Sequence, residues 1–212
     1  MYLEKEIEFI LTLDQLKNVI RRNFNHDNSR RENTAEHSWQ VIVFAQTLFP
    51  YARNKEKIDL GRVIKMLSIH DVVEIDAGDT FFYDEKANEG KFERELASAE
   101  RIFGILAEPM KSEFMNLWLE FEAGETETAI FASAVDRMIP FVMNCFNNGL
   151  SWIEAGVEFE KVQKMLRPRI ELASEDMLDT FDVLIRKAFD EGKLLYHLFN
   201  KFLYFLIPEI ND

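Results

Sequence analysis

The chain has 212 residues, enough for a substantial apolar core, and sets 8 Gly and 5 Pro against 19 Phe and 8 Met, a balance that favours long helices over tight turns. Its formal charge of −13 excludes a broad nucleic-acid or anionic-membrane surface, because such surfaces rely on many Lys/Arg–phosphate contacts. A small phosphorylated substrate held by two or three local cations remains compatible with that charge.

Cys145 is the only cysteine, which rules out an intramolecular disulfide and a cysteine-rich zinc site, and it reads as a small buried hydrophobe. The stretch Met1 to Glu6 lacks the basic start and apolar run of a secretory signal. No uninterrupted apolar stretch approaches the roughly 20 residues that cross a bilayer, so a cytoplasmic location is the expectation.

In chain order, Ile7, Ile10, Leu11, Leu13, Leu16, Val19 and Ile20 recur at helical spacing and predict a first helix over about residues 3–22. The polar run from Arg21 to Arg31 reads as a loop. Asn33 with Glu36 three residues on has the form of a capping box, so a second helix starts there and carries His37 in its first turn. Asp59 caps a third helix through Val63, Met66, Leu67 and Ile69 to about Asp76, with Gly78 as its stop. Residues 80–90 form a candidate lid loop. Helices follow over 92–106 and 110–121. The acidic start Glu125-Thr126-Glu127 then opens a long helix to Asn147, which Pro140 can kink.

Three more helices fit 151–167, 174–190 and 193–206, with Pro168 and Gly192 as the firm boundaries. The last of these is apolar nearly all round, from Leu194 to Leu206. Such a helix is either fully enclosed or packs on a partner chain, and a homodimer contact is the favoured reading. The fold class is all-α, and residues 1–212 read as one domain.

The third helix carries His70, Asp71 and Glu74 on a surface that its apolar pattern assigns to the core. Adjacent helical residues project about 100° apart, so His70 and Asp71 can approach one ion from neighbouring directions. In the long helix, Phe131, Ala132, Val135, Asp136, Ile139, Val142 and Met143 share one face, which turns Asp136 inward. Unpaired buried charges cost several kcal/mol or more. Each residue alone has an ordinary reading: His37 as a helix-start residue, Asp136 as a salt-bridge partner of Arg137 or Arg101. Together they supply two imidazoles and two carboxylates, a mixed set suited to one divalent transition metal (Mn, Fe, Co, Ni or Zn).

The order His37 … His70-Asp71 … Asp136 resembles the H…HD…D signature of the HD-domain metal-dependent phosphohydrolases. The neighbourhoods Glu32-Asn33-Thr34-Ala35-Glu36-His37, His70-Asp71-Val72-Val73-Glu74 and Ala134-Val135-Asp136-Arg137 are similar to the branch that contains the HD-domain 5'-deoxynucleotidases. The similarity covers about residues 20–145, with the helices of 151–206 completing the bundle or a dimer interface. What the resemblance implies is a helical bundle with a mononuclear site held by His37, His70, Asp71 and Asp136. It further implies release of phosphate from nucleoside 5'-monophosphates by a metal-activated water. Glu74 matches the family's proton-transferring glutamate, and Asp79 the aspartate that orients the nucleophile. By gapless offset Arg22 matches a substrate-contacting arginine, with Arg30, Arg31 and Lys86 as further substrate-binding candidates.

The resemblance departs at Asn23, where the deoxynucleotidases carry an aromatic residue that reads the sugar. Two rivals accompany the nucleotidase reading. One is a non-catalytic HD-fold nucleotide-binding or scaffold protein. The other is a hydrolase of another phosphoester, such as a nucleoside triphosphate or cyclic nucleotide. The implied partner is a small phosphorylated molecule, with neither nucleic-acid polymer nor membrane.

Overall fold

In the computed structural model, which describes residues 3–196, helix α1 (Glu4–Leu13) passes through a 3-10 turn over Asp14–Asn18 into strand β1 (Ile20–Phe24). Strand β1 pairs antiparallel with β2 (Arg31–Asn33). The first helix is thus shorter than its apolar spacing predicts, and the polar run expected as a loop is a hairpin. The β-branched pair Val19-Ile20 favours the extended backbone. Asn28, at φ 59°, turns the tip, since asparagine tolerates the left-handed region. Strand geometry then sends Arg21 and Asn23 inward while Ile20 and Arg22 stay exposed.

Helix α2 (Thr34–Leu48) starts on the expected capping box, with the Asn33 side chain accepting from Glu36 N–H and the Glu36 carboxylate accepting from Asn33 N–H. Asp59 caps α3 (Leu60–Ile69) by accepting from Arg62 N–H. That helix stops seven residues before the expected Asp76. Val72 N–H bonds Ile69 C=O at 3.2 Å and Glu74 N–H bonds Asp71 C=O at 3.0 Å, so the chain tightens to three-residue steps. Helix α4 (Glu74–Ala77) follows and ends at Gly78, whose φ of 74° is the glycine-favouring conformation.

Within the expected lid, Asp84 caps the short α5 (Glu85–Asn88), and the Asn88 side chain ties back to the carbonyls of Phe81 and Asp84. Helices α6 (Lys91–Phe103), α7 (Met110–Ala123) and α8 (Glu127–Phe146) come next, α8 being capped by Thr126. The expected helix over 151–167 is divided at Gly156 into α9 (Leu150–Ala155) and α10 (Phe159–Ala173), and Pro168 lies inside α10 rather than at a boundary. Helix α11 (Glu175–Asp190) matches its expected span. Beyond it, Leu195 N–H bonds Val157 C=O at 3.0 Å. Residues 197–206 of the expected last helix, with the dimer contact assigned to it, lie outside the described residues.

The architecture is helical, with α8 at its centre packed by α2, α3, α7, α10 and α11. Helix α8 is long and apolar enough to cross a membrane, yet 61% of its most apolar stretch is buried inside the protein, as befits a core helix. Phe141 of α8 meets Phe181 of α11 at a centroid distance of 4.6 Å, both fully enclosed. Cys145 is buried there as expected.

Candidate metal centre

Three segments converge: α2, the end of α3 and α8. His37 Nε2 lies 2.8 Å from Asp136 Oδ1 and 3.7 Å from Asp71 Oδ2. His70 Nε2 lies 3.2 Å from Asp71 Oδ1 and 3.4 Å from Asp136 Oδ1. Ligand atoms of His37, His70 and Asp136 all fall within 4.8 Å of one another. Asp136 therefore faces the two imidazoles, while Arg101, considered from sequence as its partner, pairs with Asp76.

The outer nitrogens of both rings are oriented. His70 Nδ1 donates to Leu67 C=O at 2.9 Å, which fixes Nε2 as the atom presented to the carboxylates. His37 Nδ1 faces Glu32 Oε2 at 3.6 Å. Orientation of a ring from behind by a carbonyl or carboxylate is the usual support for a metal-ligating histidine. His70 Nε2 is itself buried with no hydrogen-bond partner. A buried, preoriented nitrogen without a partner, facing two carboxylates, fits a divalent ion bound by His37, His70, Asp71 and Asp136.

The charges of the cluster agree with this. Burial pulls the His70 pKa down, but the Asp71 and Asp136 carboxylates outweigh it and hold the ring well above its ordinary value. Burial and Arg21 act likewise on His37, where Asp136 and Glu32 prevail and raise it. Burial pushes Asp71 up, yet His70 and Arg21 hold it well below the usual carboxylate range. Burial likewise pushes Asp136 up, but the hydrogen bond from His37 and the neighbouring His70 depress it. A cation entering this cluster takes the place of protons on the imidazoles, so its binding releases them.

Glu74 stands directly beside the cluster. Its Oε2 accepts from Thr34 Oγ1 at 2.8 Å, and its Oε1 lies 3.5 Å from Arg21 Nη1. Burial, then the neighbouring Asp71, push its carboxyl up to about 8 against the opposing Arg21. Asp79 accepts from Arg22 N–H at 3.3 Å and lies 3.5 Å from Arg21 Nη1.

The proposed substrate cations are less united. Arg21, passed over in favour of Arg22, reaches Asp71 at 3.0 Å as well as Glu74 and Asp79. The signal that finds it is the strand's two-residue period, which a loop reading hides. The exposed Arg22 stands on the rim between a cleft of about 100 Å³ over the cluster and an outer hollow of about 530 Å³. Lys86 lines only the outer hollow of these two. Arg30 pairs with Glu36 and Arg31 with Glu154, so neither enters the cleft. Lys91, Arg137 and Asn144 line the cleft without having been singled out for it, as do Phe81, Phe82 and Tyr83 of the expected lid.

The HD domain family matches residues 13–177, well over half of the chain. The chain belongs to the HD-domain family. A crystal structure from Magnetospirillum magnetotacticum, described as a predicted metal-dependent phosphohydrolase, is 42% identical, has a TM-score of 0.83, and covers 91% of this chain and 97% of that one. The human 5'-deoxynucleotidase HDDC2 is 27% identical over 132 residues, so the matched part spans 62% of this HD-domain chain and 62% of that relative's length. A conserved hypothetical protein from Pyrococcus furiosus shares the fold at a TM-score of 0.60 and 19% identity, covering 85% of this chain and 99% of that one.

Proposed function

We propose that this HD-domain protein is a metal-dependent phosphomonoesterase that releases phosphate from nucleoside 5'-monophosphates. The observation that carries the reading is the buried His70 Nε2, preoriented by Leu67 and left without a hydrogen bond among three other ligand-type groups, with Glu74 alongside. Relatives described as a metal-dependent phosphohydrolase and as 5'-deoxynucleotidases support it.

His37, His70, Asp71 and Asp136 would hold one divalent ion, of Mn, Co, Ni, Fe or Zn type by its mixed nitrogen and oxygen donors. When bound, such an ion lowers the pKa of a water and draws charge from a phosphoryl oxygen. Burial and Asp71 raise the Glu74 carboxyl above its ordinary range, and Thr34 fixes it in a position to exchange a proton with water or a leaving oxygen. Asp79 and Arg21 hold one another at the hairpin and orient that exchange. The narrow cleft suits the phosphoryl end, and the outer hollow beyond Phe81 and Tyr83 suits the nucleoside.

The test is analysis of the products, free phosphate, nucleoside or ring-opened monophosphate, formed from mono-, tri- and cyclic nucleotides in Mn, Co, Ni, Zn and Mg. Monophosphates are expected to be cleaved, and Glu74→Ala to lose about 100- to 10,000-fold in rate while retaining the metal. Normal turnover by Glu74→Ala, or hydrolysis of triphosphates or cyclic nucleotides alone, overturns the assignment.

A further inference from the structure

The cations around the cleft differ in what they already touch. Arg21 faces Asp71, Glu74, Asp79 and Glu32. Lys91 Nζ lies 3.4 Å from Glu95. Arg137 is half-buried, yet among the described residues its guanidinium has neither a hydrogen bond nor an ion pair. It lies over the ring of Phe82, 5.1 Å from the guanidinium carbon to the centroid. Burial and then the nearby Arg169 work against its charge, and Asp136 and Glu122 offset them only in part, without an ion pair. In a chain with 38 acidic residues, a half-buried arginine that no carboxylate contacts needs a reason.

Its position on α8 supplies one. Arg137, Pro140 and Asn144 follow at three- and four-residue steps and all line the cleft, so the guanidinium belongs to the cleft wall one residue after Asp136. Stacking on Phe82 occupies a face of the guanidinium plane and leaves its edge of N–H donors open. An edge of that kind matches two oxygens of a phosphate. The same cleft presents the carboxylates of Asp71, Asp79 and Asp136, which repel a phosphate unless cations offset them.

We infer that Arg137 is a substrate-contacting residue that binds the phosphate group entering the cleft, with Phe82 holding its guanidinium flat. This rests on the phosphomonoesterase reading, since it names the residue that receives the anion. Arg21 stays with the carboxylates that surround it, the exposed Arg22 stands at the rim, and Arg137 is the half-buried charge of the cleft wall that has no ion pair among the described residues.

The experiment is calorimetric titration of the metal-loaded full chain with inorganic phosphate, with nucleotide turnover measured in parallel. Arg137→Gln is expected to weaken phosphate binding about 10- to 100-fold, the scale of a charged hydrogen-bond pair. Phe82→Leu, which leaves the charge in place, is expected to weaken it less. Should Arg137→Gln fail to fold, Arg137→Lys decides, because it keeps the charge and loses the fork; a loss of about 3- to 10-fold is then expected. Wild-type protein that takes up no phosphate, or a folded Arg137 variant that binds it like wild type, overturns the inference. Wild type that binds phosphate through Arg137 but cleaves no nucleotide retires the hydrolase reading and leaves the anion site standing.

Discussion

Helix α8 passes through two regions that treat buried polar groups in opposite ways. Toward its C-terminal end, Asn144 is nearly inaccessible and its amide is fully used: Nδ2 donates to Pro140 C=O at 2.9 Å and to Asn23 Oδ1 at 3.3 Å, and Oδ1 accepts from Ser151 Oγ at 2.6 Å. Two turns earlier, Asp136 faces His70 Nε2, which has no hydrogen bond. The same helix thus carries a closed network and an open one. A closed network fixes shape, while an open one at equal burial marks the place of something the chain does not itself provide.

Removing a core partner from the closed region should produce the largest change. Phe181→Ala is expected to lower unfolding free energy by about 3–5 kcal/mol in urea titrations, because Phe181 is fully enclosed against Phe141. The open region responds to an added ion instead. A divalent metal at roughly 100 to 1,000 times its dissociation constant should raise stability by about 3–4 kcal/mol, and His70→Ala should abolish that gain. An equal gain in the variant would break the comparison at its open end.

Glu95 sharpens the comparison through pH. It is almost wholly buried on α6 beside Lys91, and burial pushes its carboxyl from 4.5 up to about 7 despite the lysine. The folded state therefore holds this proton more tightly than the unfolded one. Its contribution is complete below about pH 4.5 and is lost as pH rises through about 7. Glu95→Gln should remove up to about 3 kcal/mol of the stability difference between pH 5 and pH 8, read from urea midpoints at both values. The smallest effect is expected at Ser151→Ala, which leaves Asn144 Oδ1 without its donor and should cost about 1–3 kcal/mol. A neutral Ser151→Ala would mean that the closed network is not what holds this end.

Much of the centre was legible because its signals are local. The Asn33/Glu36 cap places His37, the Asp59 cap phases α3, and the apolar stripe around Val135 turns Asp136 inward. The family membership that the H…HD…D order suggested is likewise borne out. What stayed hidden depends on distant partners. Arg21 and Asn23 alternate along a strand whose inward face is polar, so hydrophobic periodicity carries no trace of it. The stop at Ile69 comes from three-residue hydrogen bonds that no residue type announces. Pro168 is accommodated within α10, whereas the left-handed Gly156, at φ 60°, ends α9.

The hairpin's attachment bears on how the molecule is made. Asn147 Nδ2 donates to Phe24 C=O at 3.1 Å, Ser151 Oγ lies 3.2 Å from Asn23 Oδ1, and Arg31 bridges to Glu154. All three links span more than 120 positions of chain. On the ribosome, every residue of the H…HD…D order has been synthesised before any of the three anchoring side chains exists. A nascent chain halted after Cys145 would contain His37, His70, Asp71, Asp136 and the carboxylates that Arg21 pairs with, while its hairpin would have the Asn144 link but none of these three. Full attachment of the hairpin therefore waits on the part of the protein that bears none of the centre's chemistry.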